Sequence, residues 1–381
     1  DPHVVICSAD EFQIHQVAQP VRHVATSDRN FYERYHMTGH GYDDMVYFNA
    51  GFGQYPNLGV QDAFLNIVEG DNHHVLRASH HLGDRLHIGA GPLRFEIVQP
   101  LKKFRLIAED NSSGITADLL YEATVPVFVE PRHVTVKNCR TMMDYQRYDP
   151  VGTWTGFIQL PDRRIELKGE TCSAYRNHSW GVRPVGEPEH PGVNGAHDLK
   201  SQFPQLGMWN YTTMQFDDFA ILYLMNENDS GVRPIEGAVR IWKDATRPLE
   251  RLGHAEAEHT MVPGTRNISA ATLKFPDAPG GPLVVEVEPL MRCYITIGTG
   301  YGTGHGIQDP WRHGKYMGTE WFDYMQRSVT QLEAAGAHFL YCEYLARFTL
   351  NGSMQGTGYH EVAFLGPYAK VGLVGDEDVA S

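Results

Sequence analysis

Short runs in which apolar and polar residues alternate one for one recur along this chain, and they constrain its fold more than any other feature. Leu93, Phe95 and Ile97 interleave with Arg94 and Glu96, and Ile115, Ala117, Leu119 and Tyr121 follow the same rhythm around Thr116 and Asp118. Successive side chains on an extended backbone point to opposite faces, so these runs read as strands with one dry and one wet face. The turn-rich stretch 108–114 between them reads as a hairpin connection. Further strand-like runs fall at 219–225, 238–243, 283–287 and 339–350, separated by Gly, Pro, Asp and Asn clusters. One helix is predicted, over 321–338, ending near Gly336. Many short strands with turns between them favour antiparallel barrels or sandwiches over a parallel α/β sheet.

At 381 residues the chain exceeds the size at which one hydrophobic core usually stops growing, so two domains are expected. The Pro- and Gly-rich stretch 184–204 is the natural boundary, which gives domains 1–184 and 185–381. A hydrophobic fraction of 42% is that of a globular protein and supplies a sizeable core. The formal net charge of −14, with no clustered basic run, argues against a nucleic-acid partner. Five scattered cysteines without a CxxC pair suggest neither a disulfide framework nor a zinc knuckle, and point to a reducing, cytoplasmic setting. Six Asn-x-Ser/Thr sequons pull the other way, but one of them, Asn177-His178-Ser179, sits where a glycan would be awkward. No apolar run reaches the roughly 18 residues that span a bilayer, so no stable membrane insertion is expected. Self-association into a homo-oligomer is left open.

Several common chemistries lack their motifs. There is no phosphate-loop, zinc-helix or nucleophile-elbow pattern. The alternate glycines at 298–306 precede Asp309-Pro310 rather than a helix N-terminus, which a dinucleotide site needs. His73-His74 and His80-His81 invite a metal, but neighbours on a strand point to opposite faces, so no metal site is expected.

Three segments carry candidate chemistry. In Arg176–Arg183 a cation, an imidazole, an indole and a second cation fall within eight residues; extended, the segment directs Arg176, His178 and Trp180 to one side and Asn177 and Ser179 to the other. The imidazole can move a proton near neutral pH, and the indole face can stabilise positive charge. Read structurally, Trp180 instead plugs a barrel end and Arg183 caps it. Tyr301, His305, Trp311 and His313 belong to a Gly- and aromatic-rich cluster suited either to rimming an apolar pocket or to covering a core. In the run Tyr55–Asp62, burial of Asp62 beside apolar residues would raise its pKa and make it a proton donor, whereas turn capping is the more ordinary role.

Tyr55-Pro56-Asn57-Leu58-Gly59-Val60-Gln61-Asp62, Glu109-Asp110-Asn111, Asp118-Leu119, Arg176-Asn177-His178-Ser179-Trp180-Gly181-Val182-Arg183-Pro184, Gly300-Tyr301-Gly302 and Trp311-Arg312-His313-Gly314 together resemble a bacterial family related to hydroxyneurosporene synthase, the carotenoid hydratase. The resemblance implies an all-β fold of two lipocalin-like (calycin) barrels in tandem with few short helices, and places the Ser-Trp-Gly segment near their interface. It further implies acid–base chemistry on apolar molecules without a cofactor. At Asn177 the chain departs from the aspartate common in that family, which shifts the expected proton shuttle to His178.

The resulting expectation is a cofactor-independent lyase, of hydratase or dehydratase type, acting on an apolar terpenoid, polyene or aromatic substrate between the barrels. His178, coupled to Asp62, is the expected catalytic group. Trp180, Tyr301, Tyr55 and Trp311 line the site, Arg183 organises it, and His305 and His313 are secondary candidates. A carbon–carbon lyase releasing a small aldehyde from an aromatic diol would use the same groups. A non-catalytic carrier of a hydrophobic ligand would need only apolar walls.

Overall fold

The computed structural model describes residues 6–194, 206–302 and 309–381. Nearly all of its regular structure is antiparallel strand, arranged as two curled sheets in a tandem lipocalin-like fold. The larger sheet runs through Asn72–His81, Val60–Glu69, Val46–Tyr55 and Phe31–Gly41 to Cys172–Val182, and onward through Val151–Gln159, Thr116–Ala123, Lys103–Ala108 and Leu93–Gln99. Arg140–Asp149 branches off, pairing with the far end of Cys172–Val182. The smaller sheet places Gly207–Gln215 beside Met354–Leu365, flanked by Phe219–Glu227 on one side and Cys342–Leu350 on the other.

The alternating runs take up the strands they predict. Leu93–Gln99 pairs with Lys103–Ala108, and the turn after Ala108 leads into Thr116–Ala123. Their apolar faces meet in the core of the larger sheet, around Phe48, Phe52, Phe95, Phe104, Tyr121 and Trp154. The predicted helix over 321–338 is corrected: Glu320–Ser328 is a strand hydrogen-bonded to Asn72–His81. Only Val329–Ala334 is α-helical, started by the Ser328 side chain, which accepts from the Gln331 N–H. Aromatic and apolar residues spaced for a helix here lie on a strand, because the open edge at Asn72–His81 supplies hydrogen-bond partners that local propensity does not weigh. This strand from late in the sequence thus belongs to the larger sheet.

The sheets meet back to back along Phe31–Gly41. Met37 points into the core of the larger sheet, while His40 on the opposite face stacks on Tyr359 of the smaller one at 5.3 Å. Tyr47 and Tyr175, from the larger sheet, join the core of the smaller. The Tyr42 hydroxyl donates to the Ala346 carbonyl and accepts from the Gly358 N–H. No helix among the described residues is long and apolar enough to cross a membrane.

Candidate active site

Where the two sheets face each other, a cavity of about 280 Å³ opens, at the small end of the range of ligand sites. Its walls come from alternate residues of five strands: Arg34 and His36; Tyr145 and Arg147; Tyr175, Asn177 and Ser179; Trp209 and Tyr211; Tyr359 and Glu361. The connecting segments Arg183–Glu189, Gly300–Tyr301 and Arg312–His313 close its rim. Strands contribute every second residue because the other half of their side chains belongs to a core; the exception is Arg140–Asp149, which adds the adjacent Met142 and Met143 where its pairing register shifts.

The sequence placed Asn177 and Ser179 opposite Arg176, His178 and Trp180, and the strand Cys172–Val182 does divide them so. The cavity lies on the Asn177 side. His178 therefore faces away from it, toward the mouth of the larger sheet's core, packed on Tyr35 at 4.5 Å. Its Nε2 lies 2.9 Å from Glu33 Oε1 and its Nδ1 3.0 Å from the Tyr148 hydroxyl, so both ring nitrogens are engaged. Trp180, 37% exposed, packs edge-on against Tyr148 and His178 on that same side. By this one-residue alternation neither His178 nor Trp180 borders the cavity.

Of the other expected residues, Arg183, Tyr301 and His313 border the cavity. Asp62, Tyr55 and Trp311 lie behind it. Asp62 is buried, accepts from the Tyr55 hydroxyl at 3.1 Å and from the Gly314 N–H at 2.7 Å, and burial pushes its pKa up to about 7. The predicted pKa rise is present, but the carboxyl is spent fastening the loop. Trp311 is fully buried against Trp321 and His313. His305 lies outside the described residues. The paired histidines have structural partners: His73 Nε2 accepts from the Tyr294 N–H, and His74 sits between Tyr324 and Glu69.

His313 apart, the groups with perturbed protonation on and behind the cavity were not singled out from the sequence. Glu343 and Glu361 stand directly opposite each other on the paired strands Cys342–Leu350 and Met354–Leu365. Two carboxylates so placed cannot both ionise cheaply. Withdrawal from water, and then the charge and hydrogen bond of Glu343, push Glu361 up to about 8; Glu361 also accepts from the Trp209 indole N–H. Burial pushes Glu343 up to about 7, although it accepts from the Tyr47 hydroxyl at 2.5 Å and from Asn49 at 3.3 Å. Glu361, partly exposed, opens on the cavity, while fully buried Glu343 supports it from behind.

His36 completes this group. Burial, and then the nearby Arg34 charge, lower its pKa to about 3, so it is neutral at physiological pH. Its Nε2 lies 3.7 Å from Glu343 Oε1, and its Nδ1 has no hydrogen-bond partner. Across the cavity Arg147 reaches Glu130 at 2.8 Å, and Glu130 also accepts from the Tyr211 hydroxyl at 3.1 Å. Tyr175 donates to Asp149 at 2.7 Å and accepts from Asn177 at 3.0 Å. Burial and then the Glu130 charge hold Asp149 far above the carboxylate range, so it retains its proton.

The comparisons with known proteins agree with this architecture. The described geometry defines a tandem lipocalin-like protein with an aromatic cavity between its sheets. A family model matches residues 6–374, and the chain belongs to that family, the family of unknown function DUF8625. No curated protein matches significantly. Among solved structures, the chain is similar to an AttH-like protein, NE1406, of Nitrosomonas europaea, with a TM-score of 0.54 and 12% identity over 96% of this chain and 98% of that one. It is also similar to CghA, solved with Sch210972, with a TM-score of 0.50 and 11% identity over 92% of this chain and 90% of that one. At these identities the likeness is one of fold.

Proposed function

We propose that this protein is a cofactor-independent lyase of the hydratase or dehydratase type, in which Glu361 is the acid and His36 the base. The observation that carries the proposal is the Glu343–Glu361 pair, opposed across two strands with Glu361 on the cavity wall. A carboxylic acid that keeps its proton near neutral pH has one to give, and an imidazole beside it that stays unprotonated has a free nitrogen to take one. In the dehydrating direction, Glu361 gives its proton to the substrate hydroxyl, and the C–O bond breaks with its electron pair leaving on water. His36 Nδ1 takes a proton from the adjacent carbon, and the electrons of that C–H bond form the alkene. The imidazolium then passes its Nε2 proton to Glu343, which re-protonates Glu361, and the proton left on Nδ1 shifts to Nε2 before the next turnover. Hydration runs the same steps in reverse.

The cavity walls suit an apolar or aromatic substrate. Trp209, Tyr211, Tyr175 and Tyr359 present aromatic surface, which stabilises positive charge developing at carbon as the C–O bond breaks. The small volume favours a compact ring system over an extended polyene.

A panel of small aromatic and terpenoid alcohols and alkenes, incubated with the protein and followed by mass spectrometry for gain or loss of one water, tests the reading. A turned-over substrate should lose at least 100-fold in rate with Glu361→Gln and with His36→Asn, the scale of a general acid or base. Full turnover by Glu361→Gln refutes the assignment. Binding of panel members without turnover by the wild type identifies a carrier instead.

A further inference from the structure

We propose that Arg34 and Arg183, which both approach the Tyr301 ring, form an anion subsite in the cavity, and that the natural ligand is an apolar or aromatic molecule bearing a carboxylate. This rests on the reading of the cavity as the substrate site and adds a charge to that substrate.

Five arginines border the cavity. Arg29 lies 3.5 Å from Glu189, Arg147 lies 2.8 Å from Glu130, and the charge of Arg312 falls on Glu187. Arg34 and Arg183 have no carboxylate within 4 Å among the described residues. Their guanidinium carbons lie 5.1 and 5.8 Å from the centre of the Tyr301 ring, and Arg183 also lies 5.0 Å from that of Tyr32.

Arg34 is the stronger case. Its side chain belongs to a residue only 3% exposed, and an uncompensated buried cation is costly. Nη1 is 3.1 Å from His313 Nδ1, while Nε and Nη2 make no hydrogen bond; the Tyr301 hydroxyl is the other polar group acting on this cation. A guanidinium is a planar fork of donors matched to a carboxylate, and part of this fork is unused. The neighbouring strand makes room for it. A Cβ at Gly51 would stand 3.0 Å from Nη2, and one at Gly53 would stand 2.9 Å from Cγ, so side chains there would crowd Arg34. His313 feels the same field: after burial, the charges of Arg34 and Arg183 hold it far below the ordinary histidine range. It accepts from Arg34 at Nδ1, and its Nε2–H donates to the Thr299 carbonyl at 2.5 Å. Asp62, the carboxyl whose charge Arg34 does feel, is neither an ion-pair partner nor free, since the Tyr55 hydroxyl and the Gly314 N–H occupy it. A carboxylate on the ligand supplies the missing partner.

Isothermal titration of the whole chain at neutral pH with 2-naphthoate, and with its uncharged counterpart 2-naphthamide, tests the subsite. Naphthoate should bind at least tenfold more tightly. Arg34→Gln and Arg183→Gln should each weaken naphthoate at least tenfold while leaving naphthamide within twofold, and Arg34→Lys should restore part of the preference. Arg183 is half-buried and its replacement is the safer one for folding. Glu361→Gln should keep the preference for naphthoate, so failure of the acid–base assignment and failure of the subsite give different results. Equal affinities for the two probes, no naphthoate binding, or naphthoate affinity indifferent to Arg183→Gln overturns the proposal.

Discussion

Replacing Glu361 by Gln should make the protein more stable in alkaline solution and flatten its response to pH. The unfolded chain releases this proton near pH 4.5, whereas the folded chain holds it until about pH 8. Between those values the native state binds the extra proton, so stability is greatest on the acid side and falls as pH rises through 8. Integrated for one site, the loss from pH 6 to pH 8 is about 2 kcal/mol. For a chain of 381 residues that corresponds to a fall in melting temperature of roughly 2–3 °C, superimposed on the changes due to all other groups. Glutamine keeps the shape and cannot ionise, so this increment should vanish, leaving only the smaller contribution of Glu343. The assay is differential scanning fluorimetry of wild type, Glu361→Gln and the double variant Glu343→Gln/Glu361→Gln at pH 6, 7 and 8. The wild type should lose ground relative to both variants as pH rises, and most relative to the double variant. Parallel pH profiles for all three proteins would refute the argument that this pair carries a proton into the neutral range.

The remaining predictions concern placement. His178→Ala removes a side chain bonded to Glu33 and Tyr148, and should cost about 1–3 kcal/mol of stability while leaving naphthoate binding within twofold, read by thermal melts and titration. Gly300 has φ +85°, and a Cβ there would fall 2.3 Å from His313 Cδ2, so Gly300→Ala should displace the rim loop, weaken cavity binding at least tenfold and lower the melting temperature. Arg147→Met strands Glu130 in the interior with one cation fewer, and should destabilise by about 3–5 kcal/mol at neutral pH, with part of the loss recovered on acidification as Glu130 takes up a proton; chemical denaturation at two pH values checks both.

The alternating runs made the strands legible because half-buried strands write their two faces directly into sequence. The segment 320–328 was not legible, since its helical spacing of aromatics is overruled by pairing with Asn72–His81. The segment from Arg176 forms a strand with two faces, the extended arrangement its residues suggested. Which face meets the cavity depends on where a second sheet packs, and no local pattern carries that information. His178 attracted attention for its chemistry, yet the neighbours one residue away, Asn177 and Ser179, are the ones on the cavity wall. Glu343 and Glu361 did leave a trace: each is the one acid of its strand, between Cys342 and Tyr344 and between His360 and Val362. Their meeting requires the register of two strands, and their pKa values require the burial that only tertiary packing supplies. Arg34 and His36 lie on a strand whose every second residue is polar, which by pattern alone reads as a wet face; the second sheet turns that face inward.

The central claim, that Glu361 stands on the cavity wall as a protonated acid at neutral pH, is tested most directly by a difference infrared spectrum of Glu361→Gln against wild type at pH 7. The account predicts loss of the carbonyl band of a protonated carboxylic acid, which in the wild type gives way to carboxylate bands as pH rises through about 8. Loss of carboxylate bands instead, with the carbonyl region unchanged, would show Glu361 already ionised and would contradict it.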